Sequence, residues 1–369
     1  MKYYIIAGEK SGDMHGANLM VEIKNADAQS EFRYFGGDLM KAQGGDLVQH
    51  YKTMSYMGFL EVINNIDKIY QTLERCKKDI VNHRPDVLIL IDYSGFNLRI
   101  AKFAKRHGIK VYYYISPKIW AWNRSRVHYI KKYVDRMFVI LPFEKDFYKK
   151  YNIEVDYVGN PILDAIHKHH VNTNFRFDNQ LDMRPIIAVL PGSRPQEIEY
   201  MLHFMVSIIP AFPDFQFVVA AVNNIDKYHY EAYRRNDKVY IIYDQTYDIL
   251  SQSQVAIVTS GTATLETALF NVPQVVCYNT SAITYIIGRL LIKVKYISLV
   301  NLIADRSVVK ELIQDEFSPA NIILEIKKIL QNSDYKNSML KGYDEVIDKI
   351  GKIGASHTAA QLMVKYLGS

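Results

Sequence analysis

The chain has 369 residues, 49% of them hydrophobic and 23% charged, with a formal net charge of +6. That length exceeds one typical core and predicts two domains, while the charged fraction is that of a globular chain rather than a disordered one. The charge is too mild for a nucleic-acid partner but favours anionic ligands or anionic lipid. Two cysteines, Cys76 and Cys277, stand far apart and suggest neither a disulfide framework nor a metal site, which fits a reducing, cytoplasmic setting. Lys2 is followed at once by strand-like residues, so no signal peptide is expected. No apolar run approaches the roughly 20 residues that span a bilayer, so any membrane contact is expected to be peripheral.

The first strand is read in "KYYIIAG". Behind it comes "AGEKSGDMHGANLM" (7–20), in which Gly8, Gly12 and Gly16 stand four apart. This spacing fits neither the dinucleotide fingerprint nor the P-loop. What remains is a glycine turn and a helix start near Ser11 or Asp13, whose N–H groups can hold a phosphate or a sugar hydroxyl. An ordinary cap explains one or two of these residues but not the whole run with His15 and Gly16. Next, "MSYMGFLEVINNI" (54–66) crowds Met54, Tyr56, Met57, Phe59 and Leu60, as either core or a membrane-binding patch. A helix-like segment covers 61–82.

"VLILID" (87–92) reads as a buried strand with Asp92 at its carboxyl end. A carboxylate there can take a proton from a hydroxyl nucleophile, or it can simply cap the helix-like segment 96–107. After the strand "KVYYYIS" (110–116), the stretch "SPKIWAWNRSR" carries Trp120 and Trp122 among Lys118, Arg124 and Arg126. Aromatics beside cations suit sugar stacking or lipid phosphate, but core packing is the favoured fate of each tryptophan taken alone. "RMFVIL" (136–141) and "DYVGN" (156–160) complete the first series of strands. The polar stretch 167–183, with His167, His169 and His170, reads as a linker.

A second series opens with "PIIAVLPGS" (185–193). In "PGSRPQEIE", Gly192 allows close backbone approach, Ser193 can cap, and Arg194 can clamp a phosphate, although a plain turn with a surface arginine is the alternative. "QFVVAAV" (216–222), "VYIIYD" (239–244), "VAIVTSG" (255–261) and "QVVCY" (274–278) follow as strands. "SGTATLETALF" starts a helix with Gly261, Thr262 and Ala263 and carries Glu266 in its first turns. That end suits a diphosphate, with Glu266 placed for ribose hydroxyls; a capped helix with a dipole-matching glutamate is the alternative. The stretch 280–304, with Arg289, Lys293 and Lys295, reads as a buried helix followed by a strand in preference to a membrane-interface segment.

Strands alternating with helices predict an α/β protein of two Rossmann-like, doubly wound domains, residues 1–165 and 184–340, facing across a cleft. A helical tail, 341–369, is expected to pack back on the first half. Ligands of such sheets bind at the carboxyl ends of the strands, and the expected site is the cleft between the two domains. No Asp-x-Asp, His-x-x-x-His or Cys-x-x-Cys pattern occurs, so no metal site is expected.

In order along the chain, "AGEKSGDMHGA", "MGFLEV", "SPKIWAWNRSRV", "LPFEKDFY", "VGNPILD", "LPGSRPQEIE", "SGTATLETAL" and "VNLIADRSVVKELIQ" resemble the lipid-A-disaccharide synthases, glycosyltransferases of the GT-B architecture. The resemblance implies transfer of 2,3-diacylglucosamine from UDP-2,3-diacylglucosamine to the 6-hydroxyl of 2,3-diacylglucosamine 1-phosphate, with inversion and without a cofactor. It implies that Asp92 is the base, and that Gly192, Ser193, Arg194, Gly261, Thr262, Ala263, Glu266 and Asn301 bind the UDP-sugar. Lys310, Glu311 and Gln314 fit the same motif more loosely. Gly8, Ser11, Gly12, Asp13 and His15 are then expected to approach the acceptor sugar phosphate. The resemblance also implies a cytoplasmic protein lying on the inner membrane surface, and it leaves a homodimer open.

This sequence departs from the family at several positions. Lys10 replaces alanine, Gly95 replaces a second aspartate, Val300 replaces proline and Ser307 replaces glutamate. These changes bear on details of the donor site and on acyl-chain preference. The rival readings are a UDP-sugar 2-epimerase of the same architecture and a non-catalytic lipid binder. A dinucleotide-dependent dehydrogenase fails on the glycine spacing.

Overall fold

A computed structural model describes residues 1–54, 66–234, 238–280 and 294–368, without the side chains of Ile66 and Trp122. The apolar patch read across 54–66, the 281–293 stretch with Arg289 and Lys293, and the Trp122 ring therefore lie outside the described residues, apart from Met54. The chain forms two compact units, Met1–Asp164 with Lys352–Ser369, and Ala165–Gly351.

The first unit is built on a seven-stranded sheet in the order β3-β2-β1-β4-β5-β6-β7. The strands are β1 (Lys2–Ala7), β2 (Glu31–Gly36), β3 (Asp46–His50), β4 (Val87–Ile91), β5 (Lys110–Tyr114), β6 (Arg136–Val139) and β7 (Asp156–Tyr157), all paired in parallel. The inner strands are buried on both faces, which is why "YYIIA" and "VLILI" are continuous apolar runs rather than alternating ones. β2 and β3 escaped the sequence reading because charge interrupts them. Arg33 of β2 is nonetheless accommodated, since its guanidinium holds Asp79 at 2.7 Å.

The first helix, Lys10–Ala26, begins directly after the glycine turn, and its glycines serve packing. A Cβ on Gly8 would stand 2.2 Å from the Tyr93 ring, and one on Gly12 would stand 3.2 Å from the Ala7 Cβ. Asp13 is not the helix cap and does not present its carboxylate to a ligand. It is buried and accepts from the backbone N–H groups of Gly37 (2.7 Å), Leu39 (3.0 Å) and Met40 (3.1 Å). It thereby caps, from a distance, the short helix Asp38–Ala42 that follows β2.

The second unit repeats the plan with six parallel strands in the order β10-β9-β8-β11-β12-β13. These are β8 (Ile186–Leu190), β9 (Gln216–Ala221), β10 (Val239–Tyr243), β11 (Ser253–Thr259), β12 (Gln274–Tyr278) and β13 (Lys310–Ile313). The edge strand β13, "KELI", was missed because half its residues are charged.

Residues 167–183 are not a free linker. His169 Nε2 lies 3.1 Å from Asp248 Oδ1, and the same oxygen accepts from Asn172 N at 2.8 Å. The short helix Phe175–Asp178 buries Phe175 in the second unit's core. The units divide at Asp164/Ala165, and the long helix Ser333–Ile350 belongs to the second. Only the last helix, Ala355–Gly368, joins the first unit, where Ala359, Ala360 and Met363 pack in the core that also holds Tyr3 and Ile5. Asp164 fastens this return by accepting from Gly354 N at 2.6 Å.

Asp13→Ala would strand three backbone donors, two of them in buried hydrogen bonds. We expect the mutant to lose about 2–3 kcal/mol in urea unfolding followed by circular dichroism, because unpaired buried donors cost about 1–3 kcal/mol each before any relaxation.

Candidate active site

In the first sheet the strand order turns back between β1 and β4, the position where doubly wound sheets open a crevice at their carboxyl ends. The register pairs Ala7 with Ile91, so the glycine turn and Asp92 lie side by side. Asp92 and Tyr93 are both left-handed, with φ of +42° and +43°. Non-glycine residues pay about 1–3 kcal/mol each for that conformation, and it persists only where the surroundings hold it. Here they do. Asn97 Nδ2 donates to the carbonyls of Ile91 (3.1 Å) and Asp92 (2.8 Å), and the Tyr113 hydroxyl also donates to the Asp92 carbonyl. The Tyr93 hydroxyl reaches the Met54 carbonyl at 2.8 Å, so its ring lies flat over Gly8 with no room for a side chain there.

The turn leaves the Asp92 carboxyl half-buried. Burial pushes it up to about 6; the Lys118 ammonium pulls it back down, and Glu9 adds to the rise. An acid in this range is ionised at neutral pH yet basic enough to take a proton. Ser11 is exposed in the first turn of the first helix. His15 is held neutral, its pKa lowered to about 4 by burial, and its Nδ1 has no hydrogen-bond partner among the described residues.

The segment after β5 begins at Ile115, also left-handed with φ of +65°. Trp120 is core: its Nε1 donates to Glu144 Oε1 at 3.1 Å and its ring meets Phe143 edge-on at 4.9 Å. Glu144 is fully buried, which pushes its carboxyl up to about 7, and its other oxygen accepts from Leu141 N at 3.0 Å. Lys118 stays exposed.

In the second sheet the order turns back between β8 and β11, where Leu190 pairs with Val258. The two glycine turns of this unit are thus neighbours. Gly192 is left-handed with φ of +111°, and Glu197 wraps around it. Glu197 accepts from Ser193 N at 3.0 Å and from Arg194 Nη1 at 3.3 Å. The Ser193 N–H is therefore already occupied within the turn. The Arg194 side chain remains 61% exposed.

Around a Cβ on Gly261 there is open space, Thr262 is exposed, and the helix Ala263–Leu269 follows. Burial raises the Glu266 carboxyl, and the Tyr247 hydroxyl donates to it at 2.9 Å.

Asn301 is not available to a ligand. It is buried, and its Nδ2 donates to Val309 O and Glu311 Oε1, both at 2.9 Å. Its Oδ1 accepts from Val308 N (2.7 Å) and Val309 N (3.0 Å), so all four valences of the amide are used. Glu311 also accepts from Ser298 N and Ser298 Oγ, closing a network at the start of the helix Leu299–Ala304. Asn97, Tyr113, Glu197 and Tyr247 were missed as contributors. Glu197 stands inside "PGSRPQEIE" and Asn97 in the helix-like segment 96–107, whereas Tyr113 and Tyr247 carry no local signal beyond an aromatic in or near a strand. Among the described residues, no group of three or more His, Cys, Asp or Glu is gathered to hold a metal ion.

Two doubly wound parallel sheets with glycine turns and acids at their carboxyl ends define the α/β class shared by GT-B glycosyltransferases and nucleotide-sugar epimerases. The UDP-GlcNAc 2-epimerase from Neisseria meningitidis, solved with UDP-GlcNAc, superposes with a TM-score of 0.71 at 15% identity, covering 99% of this chain and 100% of its own. The glycotransferase of kitacinnamycin superposes at 0.66 and 12% identity, covering 99% of each chain. At such identities the likeness is one of fold.

Sequence is more specific. Residues 3–364 match the family model described as Lipid-A-disaccharide synthetase. The lipid-A-disaccharide synthase of Myxococcus xanthus is 38% identical over 370 residues, covering 98% of this chain and 97% of the relative. That of Coxiella burnetii is 33% identical over 367 residues, covering 97% and 96%. The chain belongs to the lipid-A-disaccharide synthase family and is a glycosyltransferase.

Asn301→Ala should therefore act on stability rather than on nucleotide affinity. We expect a loss of about 2–3 kcal/mol in denaturant unfolding, from the stranded amide donors and the carboxylate, with UDP affinity at low temperature within twofold of wild type by calorimetry.

Proposed function

We propose that the chain transfers 2,3-diacylglucosamine from UDP-2,3-diacylglucosamine to the 6-hydroxyl of 2,3-diacylglucosamine 1-phosphate, giving the lipid A disaccharide 1-phosphate and UDP. The first unit takes the acceptor and the second takes the UDP-sugar. Asp92 removes the 6-hydroxyl proton as the hydroxyl oxygen attacks the donor C1. The bond from C1 to the diphosphate breaks from the opposite face, its electron pair leaves with UDP, and the α-linkage becomes β. The observation that carries this reading is the Asp92 carboxyl, half-buried on a strained left-handed turn at the end of β4, where burial pushes it up to about 6.

On the acceptor side, Ser11, His15 and the first-turn N–H groups of the first helix offer hydrogen bonds. Gly8 and Gly12 contribute by letting that helix sit close, and Asp13 by fixing its neighbour. On the donor side, Arg194 supplies the exposed cation that offsets diphosphate charge. Gly192 and Ser193 shape its turn, Gly261, Thr262 and Ala263 leave the backbone approachable, and Glu266 accepts from the ribose. Asn301 serves this side only by holding the segment 305–309. Diacylated substrates place the working enzyme at the inner membrane surface; among the described residues, no helix is long and apolar enough to cross a membrane.

The test is UDP release in detergent, dependent on acceptor and with EDTA present. Asp92→Asn should lower kcat by at least about a hundredfold while leaving UDP affinity intact, the usual scale for loss of a general base. Because the carboxyl must be ionised to accept a proton, wild-type kcat/KM should rise with pH, level off above about 6, and lose that limb in the mutant. Unchanged turnover in Asp92→Asn would remove it from the mechanism.

A further inference from the structure

The three histidines of the polar stretch 167–183 do not share one fate. His167 and His170 are exposed, whereas His169 is half-buried against the helix Thr246–Ser251. That short helix follows β10 at the carboxyl end of the second sheet and carries Tyr247 and Asp248. His169 touches both. Its Nε2 lies 3.1 Å from Asp248 Oδ1, and its ring meets the Tyr247 ring edge-on, with 5.3 Å between centroids and 82° between planes. Asp248 is itself buried and also accepts from Asn172 N at 2.8 Å. The imidazole is thus tethered by one nitrogen while its ring bears on the tyrosine.

The contact leads on to a carboxylate. A phenol hydroxyl moves only as its ring moves, and two rings bear on this one, His169 and, at 5.4 Å, Phe270. The Tyr247 hydroxyl donates to Glu266 Oε1 at 2.9 Å. Left alone, a glutamate carboxylate turns easily about its last torsion, which is broad and roughly two-fold. With Oε1 committed to Tyr247, Oε2 is the oxygen left for a ligand; among the described residues, no other group donates to this carboxylate. An acceptor fixed in advance binds a ligand hydroxyl more tightly than one that must first be ordered. Every contact from His169 to Glu266 lies within the second unit.

We propose that His169 is a positioning residue for the donor nucleotide: through the Tyr247 ring it fixes the Glu266 carboxylate, and so sets how strongly the site selects a ribose with its hydroxyls over a sugar that lacks them. The inference rests on the reading that Glu266 accepts from the ribose of the UDP-sugar, and it extends that site to the segment beside the unit boundary. His169 acts at one remove and is assigned no contact with the substrate.

The experiment is calorimetric titration of the full chain with UDP and with 2′,3′-dideoxy-UDP. Wild type should bind UDP at least about tenfold more tightly, the usual scale for a hydrogen bond to a charged group. His169→Ala should reduce that ratio at least about threefold, by weakening UDP while the dideoxy analogue binds within about twofold of wild type. A merely structural role would weaken both nucleotides alike. His169→Phe keeps a ring against Tyr247 without the tethering nitrogen and should retain most of the ratio. Tyr247→Phe keeps the ring and deletes the hydroxyl. It should lower the ratio at least as far as His169→Ala does, and it stands as the second test if that variant folds poorly.

An unchanged ratio in His169→Ala or Tyr247→Phe, an equal loss for both nucleotides, or a loss in His169→Phe as large as in His169→Ala would overturn the proposal and leave Glu266 in its assigned place. A wild-type ratio near one would strike that assignment and the proposal together. Acceptor-dependent UDP release is read separately. Its absence in wild type would strike the proposed reaction and leave the nucleotide titrations to decide the role of His169.

Discussion

Two consecutive left-handed residues at the end of β4 set the geometry on which the first unit depends. Asp92 and Tyr93 cannot hold that turn unaided, so Asn97 from the following helix and Tyr113 from the neighbouring strand both donate to the Asp92 carbonyl. The turn swings the Tyr93 ring over Gly8, and that overlap forces a glycine at the mouth of the first loop. The acid, the glycine and the helix that follows are thus one mechanical assembly. A change in any of them is felt at the carboxylate through backbone geometry before any direct contact is lost.

The second unit shows the same economy with different parts. Glu197 folds back over the Gly192 turn and takes the Ser193 N–H, so the turn is rigid before any ligand arrives. Tyr247 holds Glu266, and Glu311 with Asn301 stitches the segment 305–309 to the helix Leu299–Ala304. Polar residues in motifs divide accordingly into those whose hydrogen-bonding capacity is consumed within the protein and those that keep some. Asp13 and Asn301 fall in the first class, Arg194 and Asp92 in the second. A buried amide with all four valences filled cannot also bind a nucleotide without breaking a bond it already makes.

Sequence alone revealed the strands that are buried on both faces, because burial demands unbroken apolar runs. It missed β2, β3 and β13, where charged residues lie in or beside the strand and find their partners only in three dimensions, as Arg33 does with Asp79. It placed Asp92 and the glycine turns correctly at strand ends, since hydropathy marks where a strand stops. It did not show that the opening glycines pack against the protein itself. Spacing shows that a backbone must come close to something, but whether that neighbour is a ligand or the Tyr93 ring and Ala7 is a fact of tertiary packing. The domain boundary moved for a related reason: residues 167–183 look like a linker in composition, yet Asp248 binds their backbone and Phe175 fills the second unit's core.

Burial is the largest influence on the Asp92 carboxyl and pushes it up to about 6. The Lys118 ammonium opposes that rise by favouring the carboxylate, as does a backbone hydrogen bond from Tyr93. Lys118 is exposed and has a flexible stem, so its effect depends on where its backbone is held. Two residues on, Trp120 is pinned by its hydrogen bond to the buried Glu144, which is itself bound to the N–H of Leu141. Trp120, for which the sequence favoured core packing over sugar stacking, therefore acts one step back, anchoring the segment that carries the charge beside the base. On this view the aromatic and cationic residues of "SPKIWAW" stand together because a core anchor and an electrostatic control are needed within one short turn.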